Sequence, residues 1–131
     1  MLVKAISKGI KISPRKVSVV ASLVRGRSVK DALVILEHTP RRAAIDVAKT
    51  IKSAVANADN NHNVRPDSLV ISEIYVTPGP RLKRFRPVAR GSAHPFQHKT
   101  SHLRVVVDGE VRVPKKKAEA EDKTKKAKET K

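Results

Sequence analysis

Between Glu73 and Asp108 the chain runs for 34 residues without one acidic side chain. The same stretch holds Arg81, Lys83, Arg84, Arg86, Arg90, Lys99 and Arg104, with three His and four Pro. Its middle, 78–99, is too long for an ordinary hairpin turn, which takes ~2–5 residues. It also has too few apolar side chains for a core of its own. A compact domain cannot absorb such a segment, but two flanking strands that continue outward can carry it as a long arm. Pro78, Pro80, Pro87 and Pro95 stiffen the arm and lower the entropy lost on ordering. The cations interleave with Leu82, Phe85 and Phe96, and Arg offers bidentate phosphate contacts and stacking on bases. An inert solvated loop accounts for none of this, so nucleic-acid contact is the expected role.

The charge of the whole chain agrees. Its 131 residues carry a formal net charge of +17, which destabilises a free monomer unless a polyanion neutralises it. Residues 114–131 hold eight Lys, four acids and no Val, Ile, Leu or aromatic residue. Such a segment cannot offset its ordering entropy, and a disordered tail is expected there. Residues 1–113 keep 21 basic and eight acidic groups, or +13, so the charge belongs mainly to the folded part. The length fits one domain with appendages. Without Cys there is neither a disulfide framework nor a thiolate zinc site. No apolar run approaches the ~20 residues of a membrane span. Met1 to Ile12 alternates apolar and Lys residues without a leader-like apolar block, so a cytoplasmic location is expected.

Three helices are legible. Ser13-Pro14 is a cap followed by Pro at the first helical position; Val17, Val20, Ala21 and Val24 then share a face, and Gly26 ends the run. Ser28 and Asp31 make a variant capping box before Ala32, Leu33 and Leu36. Thr39-Pro40 repeats the cap-then-Pro signal and predicts the start of the longest helix. Ala44, Ile45, Ala48, Ile51, Val55 and Ala58 mark its inner face, and Asn57, Asn60, Asn61 and Asn63 break it. The remainder reads as strand: Leu2–Ile12 at an edge, Leu69–Thr77, and Leu103–Val107, with Val111-Arg112-Val113 extending the pairing after a turn at Gly109. The expected fold is α+β: three helices on a small, mostly antiparallel three-stranded sheet with a long extended β-hairpin arm. One α+β domain would cover 1–113, with the arm at about 78–99.

Four segments resemble a known family. Gly79-Pro80-Arg81-Leu82-Lys83-Arg84-Phe85-Arg86-Pro87-Val88-Ala89-Arg90-Gly91-Ser92-Ala93 is similar to the hairpin signature of the universal large-subunit ribosomal protein family uL22, in its bacterial form. Lys99-Thr100-Ser101-His102 is similar to the strand motif that follows it. Ser13-Pro14-Arg15-Lys16-Val17 and Ser53-Ala54-Val55-Ala56-Asn57-Ala58 match the family's first and third helices. The resemblance covers about 5–108 in the family's order. It implies a structural, non-enzymatic protein that binds 23S-type rRNA, supports subunit assembly and adjoins other large-subunit proteins. It also implies a body near the peptide exit and a hairpin lining the nascent-peptide tunnel. By position, rRNA contact is expected at Arg15, Lys16, Arg81, Lys83, Arg84, Arg86, Arg90, His98, Lys99, Thr100, Ser101 and His102. Leu82 through Ala93 would form the tunnel-side tip, and Leu82, Lys83 and Arg84 match the segment linked in the family to macrolide resistance. Val88 and Ser92 stand where the family often has basic residues, and His94-Pro95-Phe96-Gln97-His98 is unusual for it.

Other chemistries are weaker. His94, His98 and His102 have helical metal spacing, but Pro95 and the strand pattern oppose a helix and no Cys or acid completes a site, so no metal or cofactor is expected. His38 and His62 are isolated, and Asp59 and Asp67 make no paired-carboxylate site. Ser101 and His102 are strand neighbours on opposite faces and cannot form a dyad. Gly79 and Gly91 make no P-loop. Arg15 and Lys16 sit at a helix N-terminus, where the dipole disfavours them, and nearby phosphates would explain them. A nucleoid DNA-binding protein with a Lys/Ala tail is the rival class. An enzyme on nucleic acid would need clustered acids for metal ions. Neither a membrane nor a second copy of the chain is an expected partner.

Overall fold

The computed structural model describes residues 1–112; the tail expected at 114–131, and Val113, lie outside them. In chain order come β1 (Leu2–Ile10), α1 (Pro14–Val24), α2 (Val29–His38), α3 (Arg42–His62), β2 (Val70–Pro87) and β3 (Ala93–Asp108). Short 3-10 turns lie at Pro66–Ser68 and Ala89–Gly91. The sheet has the order β1-β3-β2 and is antiparallel throughout, so the last strand is central. The architecture is the expected α+β one. Among the described residues no helix is long and apolar enough to cross a membrane.

Packing follows from alternation. Leu103, Val105 and Val107 on β3, Val3 and Ala5 on β1, and Ile71 and Ile74 on β2 are buried on the face that receives the helices. Lys4, Ile6, Tyr75 and Arg104 stand exposed on the other face. Val17, Val20, Ala21 and Val24 of α1 are buried as their spacing predicts, each fully buried Val contributing about 1.5–3 kcal/mol. Helix α2 begins as read from the sequence: the Ser28 hydroxyl accepts from the Asp31 N–H at 3.2 Å and donates to Asp31 Oδ2 at 2.7 Å. The α1–α2 connection guards the free edge of β2. Gly26 N–H donates to Ile71 O, Ile71 N–H to Arg27 O, and Val29 N–H to Leu69 O.

Several sequence expectations need correction. Thr39-Pro40 ends α2 instead of starting α3: Thr39 is the C-cap, its hydroxyl donates to Ile35 O at 2.6 Å, and α3 starts at Arg42. The buried stripe of α3 is Ala43, Ala44, Val47, Thr50, Ile51, Ala54 and Ala58, and Ile45 is 59% exposed. The Asn-rich segment does not break the helix early. It continues through Asn60 and Asn61 to His62 and ends on Asn63 in the left-handed region, with Val64 N–H bonded to Ala58 O. Val111 pairs with Val64 beyond α3, not with the sheet strands. β2 and β3 are each far longer than their apolar cores, because both run on into the arm.

Candidate nucleic-acid interface

Pairing between β2 and β3 does not stop where the core stops. It passes from Pro78↔Ser101 to Arg81↔Lys99 and on to Pro87↔Ala93, so the acid-free segment is a two-stranded ribbon. From Arg81 to Lys99 every side chain is exposed except the half-buried Phe96. The ribbon is therefore held by backbone bonds and carries no core. The chain reverses over Val88–Ser92, with Val88 N–H donating to Ser92 O at 2.9 Å. Arg90 takes φ 59° there, a left-handed conformation that costs a non-glycine residue about 1–2 kcal/mol. Leu82 to Pro87 lie on the ascending strand, and Ala93 opens the returning one.

Pairing sorts the arm's side chains into two faces. Leu82, Arg84 and Arg86 lie opposite His98, Phe96 and His94. Arg81, Lys83, Phe85 and Pro87 share the other face with Lys99, Gln97, Pro95 and Ala93. On the first face the Arg86 guanidinium sits 5.4 Å from the Phe96 ring centre, and His98 meets that ring edge-on at 5.1 Å. Phe85 is 71% exposed on the second face. Both faces thus offer cations beside an aromatic ring, the combination that binds phosphates and stacks bases.

The Lys99-Thr100-Ser101-His102 segment is where the arm is fixed to the body. Gly79 and Pro80 together oppose Thr100 alone, a bulge that bends the ribbon. The Thr100 hydroxyl donates to Pro80 O at 2.7 Å. Ser101 is fully buried, and its hydroxyl has no hydrogen-bond partner among the described residues. His102 Nδ1 accepts from Gly9 N–H at 3.0 Å, at a second irregularity where Gly9 has φ 76°. Lys99 alone of the four has an exposed side chain. A Cβ on Gly79 would stand 2.5 Å from the Thr100 hydroxyl. In Gly79→Ala the hydroxyl must turn away and lose a bond worth about 1 kcal/mol. Amide exchange over 81–87 and 93–99 in the free protein should quicken ~5-fold, with the helices unaffected. Thr100→Ala, which removes the hydroxyl without crowding, should do the same. Unchanged exchange in both variants would remove the hydroxyl from the arm's support.

The expected contact residues do not all gather at one place. Arg81, Lys83, Arg84, Arg86, Arg90 and His98 are on the ribbon, and Arg15 and Lys16 are exposed in the first turn of α1, which contains no acid. Lys16 and Lys99 meet at the arm's root in a cleft that Lys11, Arg41 and Arg42 also line. Sequence patterns did not mark these last three, because Lys11 lies between β1 and α1, Arg41 and Arg42 lie together at the start of α3, and no motif joins the two segments. The three His lie on one strand, and residues four apart there stand ~13 Å from one another, too far to share an ion. The described ion pairs lie elsewhere: Lys30 with Asp67 at 2.7 Å, Arg112 with Asp59 at 2.8 Å, and the N-terminal ammonium with Asp108 at 2.6 Å. The hydrogen bond from Lys30 holds the Asp67 carboxyl below its ordinary range, and that from the N-terminus does the same for Asp108.

A core-free cationic ribbon on a small α+β body is an arrangement for ordering against a polyanion. The family model for ribosomal protein L22p/L17e matches residues 5–108, from the body through the whole ribbon and back into the central strand. The chain belongs to this family of rRNA-binding structural proteins of the large ribosomal subunit, which work beside other ribosomal proteins and are not enzymes.

Proposed function

We propose that the chain is a bacterial-type member of its family, acting in the cytoplasm, whose body lies near the peptide exit and whose arm lines the nascent-peptide tunnel. Residues 1–113 would be one rRNA-binding domain that supports subunit assembly, with the arm at 78–99. The carrying observation is the ribbon from Arg81 to Lys99, whose side chains are nearly all exposed and include no acid. Such a finger has no reason to keep a fixed course in water and every reason to keep one between RNA strands.

Arg15, Lys16, Arg81, Lys83, Arg84, Arg86, Arg90, His98 and Lys99 would then touch rRNA with their side chains. Thr100, Ser101 and His102 would serve that contact by fixing the arm's root, which suits the burial of Thr100 and Ser101 and the hydrogen bonds of Thr100 and His102. The segment Leu82 to Ala93 would form the tunnel-side end and meet the passing peptide, with the turn at Val88–Ser92 foremost. A single copy would act in each subunit, since a net charge of +17 opposes self-association.

The test places a photo-crosslinking side chain at Val88 or, separately, at Lys52 on α3, in ribosomes stalled with a labelled nascent chain. Crosslinks to the nascent peptide from position 88 and none from 52 are expected. Peptide crosslinks from neither site, with RNA crosslinks from both, would remove the tunnel role and leave rRNA binding.

A further inference from the structure

We propose that the cleft at the arm's root is a second RNA site, which seats the sugar-phosphate backbone of one rRNA strand and so fixes the arm's direction relative to the body. The proposal rests on the reading of the chain as an rRNA binder and adds to the ribbon's contacts a site that the arm's root shares with the β1–α1 connection, α1 and α3. Lys11, at the end of β1, Lys16 in the first turn of α1, Arg41 and Arg42 at the start of α3, and Lys99 on β3 line one concavity. No acid lines it, and none of these five side chains has an ion-pair or hydrogen-bond partner among the described residues. Five like charges drawn into one concavity repel, and their approach raises the cost of folding unless an anion enters.

Two further features fit a phosphate chain. The N-terminal ends of α1 and α3 both border the cleft, and neither Ser13 nor Arg41 provides a side-chain cap. The positive ends of two helix dipoles thus add to the cations. The cleft also adjoins the arm, since Gln97, His98 and Lys99 form one of its walls. A strand following the arm's cations would enter it directly, whereas one small anion could engage only part of so dispersed a set. Held there, the strand would clamp ribbon, α1 and α3 together at the point where the Gly79–Thr100 bulge bends the arm.

The experiment compares Lys11→Gln/Arg41→Gln/Arg42→Gln with wild type on a transcript of large-subunit rRNA, using the full chain. If each cation meets one phosphate, the slope of log affinity against log salt should fall by about 2–3. The loss of affinity between 50 and 200 mM salt should then be about 20- to 40-fold smaller than for wild type. Hydroxyl-radical protection should vanish at one backbone segment and persist along the arm. The free variant's Tm should equal or exceed that of wild type, because repulsion is relieved; a structural role would lower it. Lys11→Arg/Arg41→Lys/Arg42→Lys keeps the charge and should keep the slope. An unchanged slope in the Gln variant, while the corresponding arm variant flattens it, would overturn the cleft alone. Unchanged slopes in both would overturn the rRNA reading as well.

Discussion

Replacing Lys83, Arg84, Arg86 and Arg90 together with Gln should lower the salt slope of rRNA binding by about 3, from ~0.7–0.9 per phosphate contact. Between 50 and 200 mM salt the variant's affinity should fall about 50- to 150-fold less than that of wild type. The four cations lie on the ribbon and its turn, are exposed, and have no acidic partner among the described residues. Their loss leaves no buried group unpaired. Arg84 gives up a bond to the neighbouring Lys83 O and Arg86 its place over Phe96, both at the surface. The body should therefore unfold within about 0.5 kcal/mol of wild type, as exposed substitutions do. That pairing of a large binding effect with a small stability effect separates an RNA finger from a structural hairpin. Equal slopes for variant and wild type would place the phosphate contacts elsewhere on the molecule.

The arm was legible because its chemistry is exceptional over a long stretch: no acids, four Pro, and cations that no core could accept. The starts of α1 and α2 were legible because Pro14 at the first helical position and the Ser28…Asp31 cap are local devices that act through neighbours in the chain, although Ser13 makes no side-chain cap bond. The failures share the opposite property. Thr39-Pro40 looks like an N-cap, yet the Thr39 hydroxyl found the Ile35 carbonyl one turn back and closed α2. Local chemistry permits either use, and the path between helices decides. The root cleft was invisible for the same reason: Lys11, Arg41 and Lys99 are far apart in sequence and meet only when β1, α3 and β3 are assembled. The Lys99–His102 segment, matched by resemblance as a contact motif, contains two buried side chains whose setting only the register of three strands reveals.

Helix α3 supplies the sharpest test of that tertiary choice. Ile51→Ala should cost about 2–5 kcal/mol, whereas Ile45→Ala should change stability by no more than about 0.5 kcal/mol. Sequence periodicity put both side chains on the inner face. Ala44, Ile45, Ala48, Ile51, Val55 and Ala58 keep helical spacing, but so do Ala44, Val47, Ile51, Ala54 and Ala58. The helix is apolar over a wide arc, and intrinsic pattern cannot choose its centre. The sheet chooses the second stripe: Val47, Ile51, Ala54 and Ala58 are fully buried, Ala48 and Val55 lie at the margin, and Ile45 turns outward. Ile51 is the bulkiest side chain of that stripe, and it is fully buried. Its removal should open a cavity that persists, which places the cost well above simple transfer. Urea unfolding of the two variants should give a lowered midpoint for Ile51→Ala at an unchanged m-value, and a midpoint near wild type for Ile45→Ala. Equal losses would mean that α3 is rotated about its axis by roughly a quarter-turn. In that case the start of the helix, and with it Arg41 and Arg42, would not face the root of the arm.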